Sequence, residues 1–212
     1  MKSTLFKFDE KFNIHVIGTD EAGRGPAAGG VFASAVYFPA KTKTLINELS
    51  EINDSKQLSK KKREALYDVI LNNTINHTVC IEVEEIEKNN ILNCSLKAMK
   101  LACENVYEKA GLSDCLVLVD GNRYIKNFDL KQQFIVKGDS KSASIAAASI
   151  LAKVTRDRYM ERLDSEYPQY GWRNNAGYLT PEHIKAIDKF GTTPYHRQSF
   201  LKKHFEKQLS LF

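Results

Sequence analysis

The sequence predicts an α/β protein built on one mixed β-sheet flanked by helices. Three observations lead there. Short β-branched runs are interleaved with segments whose apolar residues recur every three to four positions. The early strand candidates precede any helix, whereas the later ones alternate with helices. Residues 115–119 are apolar throughout, as a strand buried on both faces is.

Taken in order, residues 14–19 and 31–38 read as strands joined by a glycine-rich turn. Residues 60–72 read as a helix whose apolar face carries Leu66, Val69 and Ile70. Residues 78–83 form the next strand. A long helix is expected within 87–109, with Leu92, Leu96, Met99, Cys103 and Val106 on one side and Gly111 as its stop. The strands 115–119 and 133–137 follow, then a helix over about 142–166. Late in the chain, Thr180 and Pro181 mark a helix start, a capping hydroxyl before proline at the first helical position, and that helix stops at Gly191.

At 212 residues, 42% hydrophobic and 10% aromatic, the chain fits one sizeable core. Its longest apolar runs fall far short of the ~20 residues a membrane span needs. The first twelve residues include acids and no apolar stretch suited to a signal peptide, so a cytoplasmic protein is expected. The four cysteines form no CxxC pair and sit in apolar stretches, and the five histidines show no metal-binding spacing. They read as packing, surface or structural residues. Thirty-one basic against 26 acidic side chains give a net charge of +5, a mild surplus. Lys60, Lys61, Lys62 and Arg63 run together, and Arg156, Arg158 and Arg162 recur at helical spacing; both patterns read as solvated helix faces.

The acids are more telling. Asp20 and Glu21 follow an apolar strand, Asp120 ends the buried run 115–119, and Asp139 lies between a strand and a helix. A carboxylate directly after a buried run is costly to desolvate unless paired, hydrogen-bonded or bound to metal. In open α/β sheets, ligands gather outside the carboxyl ends of the strands, so Asp20 and Asp120 meet if their strands run parallel and adjacent. Gathered carboxylates repel, and a hard cation such as Mg²⁺ relieves that repulsion. Taken singly, each acid also fits a turn or a helix cap, and Asp139 fits the cap of its own helix.

The surrounding residues carry a resemblance. Gly18-Thr19-Asp20-Glu21-Ala22-Gly23-Arg24-Gly25-Pro26 resembles the signature of the bacterial type 2 ribonuclease H (RNase HII) family. Asn53-Asp54-Ser55-Lys56-Gln57-Leu58-Ser59, Val119-Asp120-Gly121-Asn122, and Lys137-Gly138-Asp139-Ser140 continuing to Val154 are similar to its further blocks. Gly177-Tyr178-Leu179-Thr180 and His196-Arg197-Gln198-Ser199-Phe200 complete the set, in order. Leu179 and the 26–30 stretch depart slightly from common forms.

The resemblance implies a ribonuclease-H-like mixed sheet over residues 1–165 and a C-terminal helical region, 166–207, that grips the duplex. It implies hydrolysis of the RNA strand of RNA–DNA hybrids, and cutting 5′ of single ribonucleotides embedded in duplex DNA, leaving 3′-hydroxyl and 5′-phosphate ends. Asp20, Glu21, Asp120 and Asp139 are then the catalytic acids and the ligands of a two-metal Mg²⁺ or Mn²⁺ site. Gly23, Arg24 and Gly25 contact the ribonucleotide, and Tyr178 stacks on the sugar beside the cut. Lys56, Lys153 and Arg197 are phosphate contacts by family position. Nothing demands more than a monomer.

Other readings fit less well. Gly23, Gly25 and Ala28 formally match a dinucleotide-binding fingerprint, but Pro26 and two more glycines lead into a strand where a helix is needed. A P-loop is absent. A non-catalytic nucleic-acid-binding module has no use for four acids where phosphates would lie. Type 3 ribonuclease H carries a large N-terminal domain and a glutamate as its fourth acid, whereas here the first motif begins near residue 18 and Asp139 is an aspartate. Finally, Gln208, Leu209, Ser210, Leu211 and Phe212 resemble the short peptide that docks bacterial repair proteins on the DNA sliding clamp.

Overall fold

The computed structural model describes residues 4–52 and 59–209. Its five strands are β1 (Val16–Ala22), β2 (Val31–Tyr37), β3 (Ile75–Ile81), β4 (Leu116–Asp120) and β5 (Lys131–Ile135). They form one sheet in the order β3-β2-β1-β4-β5. β1, β2 and β3 pair antiparallel in succession, while β1–β4 and β4–β5 are parallel. The sheet is mixed, as the sequence predicts. β4 reaches its place parallel to β1 through the helices Val83–Asn89 and Ile91–Ala110, whereas β4 and β5 are parallel neighbours joined by the non-helical stretch 121–130.

Nine α-helices are described: α1 (Thr4–Glu10), α2 (Lys43–Glu48), α3 (Lys60–Asn73), α4 (Val83–Asn89), α5 (Ile91–Ala110), α6 (Ala143–Glu166), α7 (Trp172–Asn175), α8 (Pro181–Phe190) and α9 (Gln198–Leu209). α5 covers one face of the sheet, packing Ala98, Met99, Ala102 and Val106 against Ile17, Ala33, Val117 and Val119. α6 covers the other, with α1, α2 and α3 outside it. β1 alternates between the two: Ile17 packs in the α5 core, while Gly18 lies so close to α6 that an added Cβ would meet the Ser144 main chain at 2.2 Å. A further core joins Phe32 and Met160 to Tyr170, Trp172, Ile187 and Leu201 of the C-terminal helices.

The long helix expected within 87–109 is α5, which ends at Gly111 as expected but starts only at Ile91, residues 87–89 belonging to α4. Asn90 sits between α4 and α5 at φ 60°, and its side chain accepts the Asn93 N–H, capping α5. No apolar residue falls between Ile86 and Ile91, and the asparagine pair at 89–90 is the local signal of the break. β3 begins three residues before its expected start, and β5 two before. The N-terminal segment is a short helix that buries Leu5 and Phe6. Thr180, with Pro181 next to it, caps α8 by accepting the His183 N–H, as read from the sequence.

Candidate active site

β1 and β4 remain paired only through Thr19↔Val119. Asp20 and Asp120 are the next residue on each strand, so both stand where the two parallel strands part. This is the crevice in which open α/β sheets place ligands. Asp20 lies on the α6 side and takes a hydrogen bond from Ser149. Its Oδ1 also accepts the Glu21 N–H at 2.7 Å. Burial drives the Asp20 carboxyl well above the usual carboxylate range, and the charges of Glu21 and Asp120 drive it further.

Glu21 is one residue from the end of β1, so it faces across from Asp20 yet still feels Asp120. Burial raises its carboxyl, and Arg24, donating Nη1 to Oε1 at 3.1 Å, opposes that rise. Asp120 Oδ1 accepts the Gly138 N–H at 2.6 Å. That bond ties the end of β4 to the 3₁₀ turn Gly138–Ser140, whose middle residue is the half-buried Asp139. Asp139 does not cap the following helix; Ser142 does, by accepting the Ile145 N–H. The fold therefore brings Asp20, Glu21 and Asp120 together and puts Asp139 one peptide from the N–H that holds Asp120.

Among the described residues, no three His, Cys, Asp or Glu side chains already surround one point as a closed metal cage. The donors nevertheless suit a hard divalent cation. They are all carboxylate oxygens, partly desolvated and mutually repelling, a state that a cation relieves. Mg²⁺ is usually held by one or two carboxylates together with waters and substrate phosphates, so an open set fits it.

Beside the acids runs the glycine-rich segment 23–30. Gly23 has φ +99°, and a Cβ there would meet Arg156 Nε at 2.3 Å, so only glycine fits. A Cβ on Gly25 would meet the Tyr178 ring at 3.2 Å, so this ring, 54% exposed, lies over Gly25. Arg24, half exposed, pairs with Glu21. The sequence-predicted Gly23, Arg24, Gly25 and Tyr178 thus sit together, next to Glu21.

Two residues behind this segment were read differently from sequence. Arg156, expected on a solvated helix face, is 2% exposed and donates to the carbonyls of Gly30 (3.4 Å), Ala28 (3.2 Å) and Ala176 (3.0 Å). Its signal is apolar neighbours at helical spacing, Ala152, Met160 and Leu163, at i−4, i+4 and i+7. Arg197, expected to touch phosphate, is fully buried. It donates to Gly23 O (2.7 Å), Arg24 O (3.3 Å) and Gly29 O (2.7 and 2.9 Å), holding the loop from behind. Burial and the charge of Arg156 pull its guanidinium down to about 10. Buried positive charge behind a loop of main-chain groups favours an anion in front of it.

Ser149, Lys153 and Arg156 follow one face of α6 at i, i+4 and i+7, from the acids to the glycine-rich loop. Lys153 is ion-paired with Asp157 at 2.5 Å and remains partly exposed. Lys56, the other lysine singled out, lies outside the described residues, as do Ser210, Leu211 and Phe212; Gln208 and Leu209 end α9.

A mixed sheet in this order, with acids at the parting of its central parallel pair, defines a ribonuclease-H-like enzyme. Residues 17–208 match the Ribonuclease HII family. The chain is 48% identical over 209 residues to a ribonuclease HII of Fusobacterium nucleatum, covering 98% of this chain and 95% of that one. It is 49% identical over 201 residues to a ribonuclease HII of Rickettsia africae, covering 94% and 98%. The crystal structure of ribonuclease H2 from Pyrococcus horikoshii superposes with a TM-score of 0.71 at 25% identity, over 92% of this chain and 98% of that one. The chain belongs to the ribonuclease HII family. No helix among the described residues is long and apolar enough to cross a membrane.

Proposed function

We propose that this enzyme hydrolyses the RNA strand of RNA–DNA hybrids and cuts 5′ of single ribonucleotides embedded in duplex DNA, leaving 3′-hydroxyl and 5′-phosphate ends. The observation that carries the proposal is the adjacency of two groups: mutually repelling buried carboxylates, and the glycine main chain under Tyr178, joined through the Arg24–Glu21 pair. Asp20, Glu21, Asp120 and Asp139 would hold Mg²⁺ or Mn²⁺. Two such ions supply an activated water and stabilisation of the leaving oxygen. The chain's own residues do the rest. Ser149 and the Glu21 N–H orient Asp20, the Gly138 N–H orients Asp120, and Arg24 holds Glu21.

The 2′-hydroxyl both donates and accepts, and it alone distinguishes RNA from DNA at one position. The main chain of Gly23, Arg24 and Gly25, bare of side chains at both glycines and held from behind by Arg197, suits its recognition, with Tyr178 stacked on the neighbouring sugar. Lys56 and Lys153 supply phosphate contacts, and residues 166–207 grip the duplex. The enzyme acts as a monomer in the cytoplasm, in ribonucleotide and RNA-primer removal. Residues 208–212 serve as a tether to the sliding clamp, and their deletion abolishes clamp capture while sparing cleavage of free duplexes.

The deciding assay incubates a DNA duplex carrying one ribonucleotide with Mg²⁺ or Mn²⁺, then with chelator, beside an all-DNA duplex and an Asp120→Asn variant. Metal-dependent cutting 5′ of the ribonucleotide, lost in the variant and absent on all-DNA, is the expected result. If a folded wild-type protein cuts neither this duplex nor a uniform hybrid with either metal, the reading is wrong.

A further inference from the structure

Two buried imidazoles outside the carboxylate site form a chain that ends on Tyr178. The main-chain N–H of Thr193 donates to His196 Nδ1 at 2.9 Å, which leaves that nitrogen bare and puts the ring proton on Nε2. His196 Nε2 lies 3.1 Å from His183 Nε2, and Trp172 Nε1–H points at the same atom from 3.0 Å. A nitrogen facing two donors must be the acceptor, so the proton of His183 sits on Nδ1. Nδ1 in turn lies 2.9 Å from the carbonyl oxygen of Tyr178. Only this pair of tautomers satisfies every atom of the chain. Neither ring can take a second proton without setting two donors face to face. Burial lowers both, His196 to about 4, so this one arrangement persists across neutral pH.

The chain terminates on a main chain that is otherwise clamped. Tyr178 N–H donates to Asn175 O, and Tyr178 O also accepts from the Thr180 N–H. The preceding Gly177 O accepts from the N–H groups of Ala27 and Ala28, at the far end of the glycine-rich loop. The ring itself stands free over Gly25, so its height is set through its backbone. The residue after His196 is Arg197, which holds the Gly23 and Arg24 carbonyls. One dipeptide therefore supports both sides of the gap between Tyr178 and the loop.

We infer that His183, backed by His196 and Trp172, is a positioning residue that fixes Tyr178 over Gly25 and thereby sets discrimination for a single ribonucleotide. The inference rests on the role proposed above for Tyr178.

Two substitutions separate the two ends of the His183 ring. In His183→Asn the amide nitrogen takes the place of Nδ1 and still donates to Tyr178 O. In His183→Gln the amide reaches the place of Nε2, serving Trp172 and His196 while losing the bond to Tyr178. Both are compared with wild type in kcat and KM on the single-ribonucleotide duplex and on a uniform hybrid, with melting curves alongside. The expected result for His183→Gln is a roughly tenfold fall in the ratio of the two kcat/KM values, with His183→Asn within about twofold of wild type. In a Tyr178→Ala background His183→Gln has no further effect, because coupled residues are not additive.

Equal losses in Asn and Gln, or a loss that adds to that of Tyr178→Ala, overturn the inference and leave a packing role. If Tyr178→Ala keeps the wild-type ratio, the inference falls with that tyrosine's role, while wild-type cutting keeps the nuclease reading. Imidazole NMR of the folded wild type tests it independently of variant folding. Protons on His183 Nδ1 and His196 Nε2 support it, and the opposite tautomers refute it.

Discussion

Arg156 and Arg197 are buried, and among the described residues neither forms an ion pair with a carboxylate; both donate to carbonyl oxygens of the glycine-rich segment and its neighbours. A guanidinium spreads five donors over three nitrogens in a planar fork, so arginine reaches carbonyls too far apart for the single nitrogen of a lysine. Arg197→Lys keeps the charge and strands at least two of those carbonyls. It is expected to cost about 2–3 kcal/mol in denaturant unfolding and to weaken cleavage together with substrate affinity. An unchanged midpoint would show that the fork is dispensable. The role of Arg156 was hidden in the sequence because charged residues at helical spacing read alike whether solvated or buried, and that of Arg197 because nothing local marks an arginine as buried. Asp20 and Asp120 were legible as a pair because each follows an apolar run, and the two runs pair in parallel.

His196 gives the pH dependence at this scale. Its folded value, about 4, lies below the ordinary 6.5, so between those values the unfolded chain binds the extra proton. Its contribution is present in full above pH 6.5 and is lost as pH falls toward 4. With screening allowed for, the loss is on the order of 2 kcal/mol. A melting temperature that falls from pH 6.5 to 4.5 in the wild type, less steeply in His196→Asn, is the expected observation.

Among elements, α6 does the most work for the site. Its first turns carry Ala146, Ala147 and Ala148, buried and small enough to let the helix lie close to the sheet. Ser149 and Arg156 then reach the acid site and the loop from one rigid axis. The α4–α5 break is the contrasting case. Asn90 separates the two helices by taking a positive φ and capping α5. Asn90→Ala loses the cap and keeps the strained dihedral, so it should cost about 2 kcal/mol. Asn90→Gly loses only the cap and should cost a few tenths. Equal costs measured by denaturant unfolding would remove the dihedral from the explanation. The strand ends slipped by two or three residues from their expected places because the apolar runs fade into polar edge positions such as Asn76 and Gln132.

At the scale of the molecule, the C-terminal helices are part of the catalytic fold. Tyr170, Trp172, Ile187 and Leu201 share one buried core with Ala27, Ala28, Phe32 and Met160. Arg156 of α6 donates forward to Ala176, and Arg197 donates back to Gly23. A chain ended at residue 165 would expose that apolar face and leave Arg156 without one of its carbonyls. Burial of this kind stabilises by roughly 25 cal/mol per Å², and the covering residues are large. The full chain is therefore expected to unfold in one transition that coincides by near- and far-ultraviolet circular dichroism. The chain ended at residue 165 is expected to bind a hydrophobic dye and to lose its cooperative melt. If the shortened chain melts cooperatively instead, residues 1–165 fold by themselves. The glycine-rich loop would then be shaped without Arg197, and the cleft would owe its form to the sheet alone.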